Sequence, residues 1–347
     1  MELEKALDLG HSLFFKRTDI EQEFWDIICK KHFKKKDHLY FSSSGTNSKE
    51  LKVFEIEFET MLKHSKALNN HFNITSNSKW LLSLPDFYMG GISIMFRGLE
   101  NKAKVFKSSA KNIIDTFNEV KKYNITHLSL VPSQINSLIH HGIKITSSVK
   151  MIFIGGDSLS INDFESLKSY PAVFFPTYGS SELCSQVATS LLERNSQFNT
   201  FKILPWNKLF LNDTNQIQSP YYYKSIYYIQ DEVVIKEKNT KLIFNSEDRG
   251  IIEGEMLTVL GRIDRKIKSS GIFIDLDKLE LTLAKMFPSH EFYITAISDK
   301  KRGLTPIAIT KTLFPILDLQ ELKIFHQKEV LEFLYTPSGK LKKRLIT

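Results

Sequence analysis

Cysteine is almost missing. Cys29 and Cys184 are the only two in 347 residues, and they sit in unrelated contexts. That excludes a disulfide framework and a cysteine-rich zinc site, and it points to a reducing compartment. The ten histidines follow no metal-ligand spacing; His140-His141 is their only adjacent pair, at an expected helix end. No apolar run approaches the roughly 18 residues that a membrane helix needs. The opening stretch MELEKALDLGHSLFF has no cationic start followed by an apolar core, so it does not read as a signal peptide. Aromatic–basic repeats, nucleic-acid recognition motifs, internal repeats and low-complexity tracts are missing too. The expectation is a cytoplasmic protein with no membrane span and no nucleic-acid partner.

Positive charge is not scarce. The formal net charge is +8, spread along the chain, with Lys30-Lys31 and Lys34-Lys35-Lys36 the densest run. Such runs are ordinarily solvated surface, and a positive field of this size can also draw polyanionic small molecules such as nucleotides. Apolar content of 42% and charged content of 25% are those of a globular protein. The length suggests two or three domains.

Residues 20–33 place Phe24, Trp25, Ile28 and Phe33 at helical spacing. A strand at 38–41 leads into the loop Ser42-Ser-Ser-Gly-Thr-Asn-Ser-Lys-Glu-Leu-Lys52, ahead of a helix expected over 53–72. Backbone N–H groups and hydroxyls in this loop suit phosphate oxygens, with Lys52 supplying charge. Strands expected at 79–84, 103–106, 127–131, 149–154 and 172–175 alternate with helices at 91–99, 110–123, 132–141 and 161–169. This alternation predicts βαβ units and a mostly parallel sheet, whose ligands would sit at the carboxyl ends of the strands. Two of those ends carry small-residue turns, Gly155-Gly-Asp157 and Thr177-Tyr-Gly-Ser-Ser-Glu182. In the second, Tyr178 can stack on a flat base and Gly179 admits a ligand close to the backbone. Ser180 and Ser181 can donate to phosphate oxygens, and Glu182 suits a magnesium ion. Residues 221–244 read as antiparallel β structure, and Gly261-Arg-Ile-Asp-Arg-Lys-Ile-Lys-Ser-Ser-Gly271 as a linker. A helix at 275–285, strands at 291–297 and 306–310, a helix at 319–330 and a basic tail are expected beyond it.

Six stretches, in order, resemble the motifs of the adenylate-forming superfamily of acyl- and aryl-CoA ligases, luciferases and peptide-synthetase adenylation domains. SSGTNSKELK (43–52) resembles its phosphate loop, GGD (155–157) its adenine-contacting turn, and TYGSSE (177–182) its Tyr-Gly-x-Thr-Glu motif. SEDRG (246–250) resembles its ribose-binding Thr-Gly-Asp motif, GRIDRKIKSSG (261–271) its hinge motif, and PSGK (337–340) the motif of its adenylation lysine. Within the superfamily, THLSLVPSQ (126–134) and LPDFYMGGISIMFRGL (84–99) look like the o-succinylbenzoate–CoA ligases of menaquinone biosynthesis. The chain departs from the pattern at Asn47 and Ser48, where Thr-Gly is usual, and at Tyr88, where a histidine is usual. It departs again at Ser181, in place of Thr, and at Glu247, in place of Gly.

The resemblance implies an α/β protein. A large N-terminal core (1–263) would carry mostly parallel sheets flanked by helices and a β-rich subdomain at about 200–260. A small, mobile α+β C-terminal domain (264–347) would turn about a hinge at Asp264. It implies ATP-dependent conversion of o-succinylbenzoate to an acyl-adenylate, then thioester formation with coenzyme A, with Mg²⁺ as cofactor. The partners would be small molecules, and the chain a monomer or homo-oligomer. By the same resemblance Ser43, Ser44, Gly45, Thr46 and Lys52 would hold the β- and γ-phosphates. Gly155, Gly156, Asp157, Tyr178, Gly179 and Ser180 would hold adenine and its surroundings, and Asp248 and Arg262 the ribose. Ser181 and Glu182 would serve the α-phosphate and Mg²⁺, and Lys340 would bridge the attacking carboxylate and the α-phosphate. Tyr88, Gly90, Gly91 and Arg97 would form the acyl site, with the Arg97 guanidinium pairing the free succinyl carboxylate. On residues alone, Arg97 could equally be a surface arginine and Lys340 one more lysine of a basic tail. Another acyl- or aryl-CoA ligase, an adenylation enzyme that loads a carrier protein, and a non-catalytic nucleotide-binding relative are the alternatives.

Overall fold

The computed structural model describes residues 11–17, 20–33, 35–42, 51–171, 173–212, 214–230, 233–241, 243–299, 302–336 and 341. The chain opens with β1 (Leu13–Phe15), helix α1 (Gln22–His32), β2 (His38–Ser42), β3 (Leu51–Glu57) and helix α2 (Phe58–His71). The long helix expected over 53–72 thus begins only at Phe58. Residues 51–57 are a strand, antiparallel to β2 with Ser42 opposite Val53 and Phe41 opposite Phe54. Val53, Phe54, Glu55 and Ile56 are all buried, so both faces of this strand are covered and periodicity cannot tell it from a buried helix.

Strand and helix then alternate as expected: β4 (Lys79–Leu82), α3 (Met89–Asn101), β5 (Lys104–Lys107), α4 (Ile113–Tyr123), β6 (His127–Leu130), α5 (Pro132–His140), β7 (Met151–Ile154), α6 (Ile161–Leu167) and β8 (Phe174–Ser180). Local chemistry sets the helix starts. The Asn112 side chain accepts from the Asp115 N–H at 2.8 Å, and Ser160 accepts from the Asp163 N–H at 3.0 Å. Pro132 occupies the first turn of α5, where its missing N–H costs nothing.

After β8 the chain is mainly strand. β9 (Ser185–Thr189), β10 (Thr200–Ile203), β11 (Lys208–Leu211), β12 (Asn215–Gln218), β13 (Ser225–Gln230), β14 (Val233–Lys238), β15 (Ile243–Asn245), β16 (Asp248–Glu253) and β17 (Met256–Arg262) follow in turn. Then come β18 (Lys266–Ser269), β19 (Ile272–Asp275), α7 (Leu276–Met286), β20 (Phe292–Asp299), β21 (Gly303–Thr310), α8 (Ile316–Glu321) and β22 (His326–Glu329). Two expectations change here. The stretch 261–271 is not an open linker: it ends β17, makes one 3₁₀ turn at Ile263–Arg265 and enters β18. The helix expected over 319–330 is the short α8 followed by β22, which pairs parallel to β21. Lys323, at φ +60°, turns the chain out of the helix.

The central sheet has nine strands in the order β16-β17-β10-β9-β8-β7-β6-β4-β5. It is parallel from β5 to β8 and antiparallel from β8 to β16. Strand β8 makes the switch, pairing with β7 through Phe174–Pro176 and with β9 through Thr177–Ser180. The largest core lies under this sheet, where Leu128, Leu130, Ile152 and Ile154 meet Phe117, Ile135, Leu138 and Phe164. Each fully buried side chain of this kind stabilises the fold by about 2 kcal/mol. The strands of 200–262 do not all lie in one sheet. They are shared among the central sheet, a three-stranded sheet (β11-β12-β15) and a five-stranded sheet (β1-β2-β3-β13-β14). The strands from β18 onward build a separate sheet over their own core of Ile267, Leu283, Ile294, Ala308 and Phe314.

Candidate active site

The two small-residue turns lie side by side because β7 and β8 are parallel neighbours, with Ile154 opposite Pro176. Thr177 closes the gap between them. Its hydroxyl donates to the Ile154 carbonyl at 2.9 Å, and a Cβ on Gly155 would stand 2.5 Å from its Oγ1. The close approach expected of Gly179 is to protein: a Cβ there would lie 1.7 Å from the Ser185 carbonyl oxygen, at a register shift between β8 and β9. Ser180 ends β8 with a buried hydroxyl that has no hydrogen-bond partner. Ser181 and Glu182 form a single 3₁₀ turn, tied down by the Tyr223 N–H donating to the Glu182 carbonyl at 3.0 Å.

Tyr178 reaches across to the ribose motif. Its hydroxyl donates to Asp248 Oδ2 at 2.8 Å and lies 3.4 Å from Ser246 Oγ. Burial and the neighbouring carboxylate hold the phenol protonated well above its ordinary range. Burial also raises Asp248, against the opposing pull of Tyr178 and Arg262. Arg262 stands opposite Asp248 on β17, with Nη1 3.9 Å from Asp248 Oδ1. Its guanidinium binds Asp264 twice, at 2.9 and 3.1 Å, and also pairs with Glu247, the residue standing where the superfamily has glycine. The end of the chain meets this group: the Leu341 N–H donates to Asp157 Oδ2 at 3.1 Å. Residues Gly155, Asp157, Tyr178, Asp248, Arg262 and the chain end at Leu341 are thus neighbours. Ser43, Ser44, Gly45, Thr46 and Lys340 lie outside the described residues. Lys52 belongs to β3, not to a loop, with its ammonium 5.3 Å from the centre of the Tyr228 ring.

Glu182 is the one carboxylate of the TYGSSE turn, and no cluster of three or more His, Cys, Asp or Glu side chains that could hold a metal occurs among the described residues. This donor set does not fit a protein-caged metal. It fits magnesium, which takes one or two carboxylates and completes its shell with substrate phosphate oxygens and water.

The acyl-site candidates sit on α3 and the turn before it. Gly91 is required there, since a Cβ would meet the Pro85 carbonyl oxygen at 2.2 Å; one on Gly90 would meet Leu84 at 2.9 Å. Tyr88 caps the helix and is buried. Arg97 is not a surface arginine: it is 2% exposed. Its Nη2 donates to Gln186 Oε1 at 2.8 Å, while Nε and Nη1 have no hydrogen-bond partner. The guanidinium lies 5.1 Å from the Phe153 ring centre and 5.6 Å from that of Trp80. Burial alone lowers its pKa to about 9, so it is charged at neutral pH. Gln186 is the β9 residue opposite Gly179, which puts Arg97 one strand pairing behind the TYGSSE motif. Sequence reasoning missed three residues around Arg97. Gln186, Trp80 and His64 are all buried, and the Trp80 indole N–H and His64 Nδ1 have no partner. Burial and then Arg97 push His64 down to about 3, so it is neutral. No feature of the sequence flagged them, because they read as ordinary core positions.

Residues 58–216 match the sequence profile of the family described as AMP-binding enzyme. The chain is 26% identical over 263 residues to 2-succinylbenzoate--CoA ligase of Bacillus subtilis, covering 70% of this chain and 52% of that one. It is 25% identical over 248 residues to the Escherichia coli protein of the same name, covering 70% and 51%. The chain therefore spans about half the length of the curated relatives it matches. Among solved structures, O-succinylbenzoate Coenzyme A Synthetase from Bacillus subtilis in complex with AMP superposes with a TM-score of 0.75 at 20% identity, covering 99% of this chain and 79% of that one. The same enzyme in complex with ATP and magnesium ion gives 0.73 at 19% identity, covering 99% and 81%. These likenesses agree on the fold found here, and the stretch 58–216 is similar to the AMP-binding enzyme family.

Proposed function

We propose that the chain activates o-succinylbenzoate with ATP, releasing pyrophosphate to give an acyl-adenylate, and then passes the acyl group to coenzyme A, as menaquinone biosynthesis requires. The observation that carries this reading is Arg97: a buried guanidinium with two unpaired nitrogens, one strand pairing behind the TYGSSE turn. A buried charge without a partner is costly to keep, and a carboxylate from the substrate would complete it. o-Succinylbenzoate brings two carboxylates, one to be activated and one to be held.

Catalysis in this scheme is positioning and charge neutralisation. Tyr178 faces adenine, Gly155, Gly156 and Asp157 its edge, and Asp248 and Arg262 the ribose. Ser180 and Ser181 donate to the α-phosphate. Ser43, Ser44, Gly45, Thr46 and Lys52 serve the outer phosphates, and Lys340 the attacking carboxylate. Glu182 would hold magnesium together with the phosphates, and the ion would supply charge to offset theirs. The mobile C-terminal domain begins at Asp264. No helix among the described residues is long and apolar enough to cross a membrane, which accords with action in the cytoplasm on small molecules.

The test is a pyrophosphate-release assay across a panel of aryl and fatty acids, with the thioester checked by mass. o-Succinylbenzoate is expected to be preferred and coenzyme A to be required. Preference for a monocarboxylic acid, or turnover without coenzyme A, would move the chain to another acyl-CoA ligase or to a carrier-loading enzyme. Arg97→Ala is expected to raise KM for o-succinylbenzoate by at least about tenfold, with KM for ATP little changed.

A further inference from the structure

The Arg97 guanidinium makes a single hydrogen bond, and the group that accepts it is neutral. Gln186 lies 4% exposed on β9, and its side-chain oxygen takes Nη2 at 2.8 Å. A glutamate would fit the same space and accept the same bond, but it would also neutralise the guanidinium in the free protein. Nothing else nearby does so: among the described residues no carboxylate pairs with Arg97, and its other neighbours include the rings of Trp80 and Phe153 and the neutral His64 and His127. His64 is held from the same residue, with Nε2 3.4 Å from the Gln186 carbonyl oxygen. Gln186 therefore fixes the direction of Arg97, spaces it from His64, and leaves its charge unspent.

We propose that Gln186 is a positioning and specificity-determining residue: its uncharged amide aims Arg97 while reserving the guanidinium for the non-reacting carboxylate of a dicarboxylic substrate. The proposal rests on the reading of the chain as an o-succinylbenzoate-activating enzyme. It adds that the selectivity for a second carboxylate is set by the amide on β9 as well as by the arginine on α3. Gln186 touches neither ATP nor the reacting carboxyl in this scheme, so its effect falls on acid binding and not on the nucleotide.

The test compares wild type with Gln186→Glu on o-succinylbenzoate and on 3-benzoylpropionate and 2-butyrylbenzoate, each of which keeps one of the two carboxylates. In Gln186→Glu the internal ion pair forms, so the melting temperature is expected to stay at or above that of wild type. KM for o-succinylbenzoate is expected to rise by about tenfold or more, with KM for ATP within about twofold and the monocarboxylate that keeps only the reacting carboxyl little affected. The preference for the dicarboxylate then collapses. If Gln186→Glu does not fold, Gln186→Met decides: it removes the acceptor without adding charge, and the same KM split is expected in smaller measure. An unchanged preference in a folded variant overturns the role of Gln186. A wild-type enzyme that never prefers the dicarboxylate overturns the substrate reading itself, which is a different and separable result.

Discussion

Glu55 has no exposed surface, yet it is ionised. Burial opposes the charge, and hydrogen bonds from Lys35, from the Tyr227 hydroxyl at 2.7 Å and from Lys236 at 2.9 Å outweigh it, bringing the pKa from 4.5 down to about 2. The carboxylate sits on β3 and ties it to β13 and β14, bracing the strand that carries Lys52. Both lysines are partly exposed, so the ion pairs are screened and their worth is less than that of a fully buried pair. Glu55→Gln is expected to lower stability at pH 7 by about 2 kcal/mol in chemical denaturation. The sign with pH follows from the depressed folded value: the contribution is whole above 4.5 and disappears as pH falls toward 2. The gap between wild type and Glu55→Gln should therefore close over that window. The buried His64 and His127, pushed down to about 3 and about 4, destabilise both proteins below pH 6.5, so the difference isolates Glu55.

At the scale of elements, legibility followed the kind of signal. The βαβ run from β4 to β8 was plain because strands and helices of ordinary length alternate there, with Pro132 at the first turn of α5. β3 was not, since a strand buried on both faces alternates nothing, and its partner β13 lies about 170 residues away, as Glu55 opposite Ser225 shows. The polar stretch 261–271 looked like a linker because it is polar and bounded by Gly261 and Gly271, although β17 and β18 pair in local hairpins with β16 and β19. The residues proposed for the nucleotide stand in contiguous motifs and could be singled out from the sequence. Gln186 and His64 were not, because only tertiary packing brings them to Arg97. Gly179 was read as a position where a ligand comes close to the backbone; the close approach seen in the fold is that of β9. Since the atom that a Cβ would strike is the Ser185 carbonyl at 1.7 Å, β9 would have to move to admit one. Gly179→Ala is expected to cost about 2 kcal/mol or more of stability and to displace Gln186 opposite it, weakening binding of the acid as well as of ATP. Thermal unfolding and KM for both substrates check this; a silent variant would mean the β8–β9 pairing adapts freely.

At the scale of the molecule, two arginines three residues apart are anchored to different bodies. Arg262 pairs with Glu247 and approaches Asp248 of the central sheet, at 3.9 Å. Arg265 is held by Asp277 at 2.6 Å, by Glu280 at 2.9 Å and by the Ile294 carbonyl at 3.0 Å, all beyond β18. The chain between them, Ile263 and Asp264, is where a rotation would be absorbed, and the Asp264 carboxylate clamps Arg262 in the arrangement seen. Among the described residues, bonds that cross outside this segment include Arg249 to Asp275 at 2.7 Å, the Arg262 N–H to Asp277 at 3.0 Å, and the Leu341 N–H to Asp157 at 3.1 Å. Partly exposed polar contacts of this kind are individually weak, as the proposed rotation would require. The Leu341 contact brings the residue after Lys340 to the Gly155–Asp157 turn, which under the proposed function would be the arrangement for adenylate formation, with coenzyme A needing the same ground cleared. Lys340→Ala is therefore expected to abolish pyrophosphate release from ATP and acid, while thioester formation from supplied acyl-adenylate and coenzyme A continues near the wild-type rate. Single-turnover assays of the two half-reactions separate these outcomes. Equal loss in both would mean that the lysine stays in the site throughout and that the segment at Asp264 does not turn.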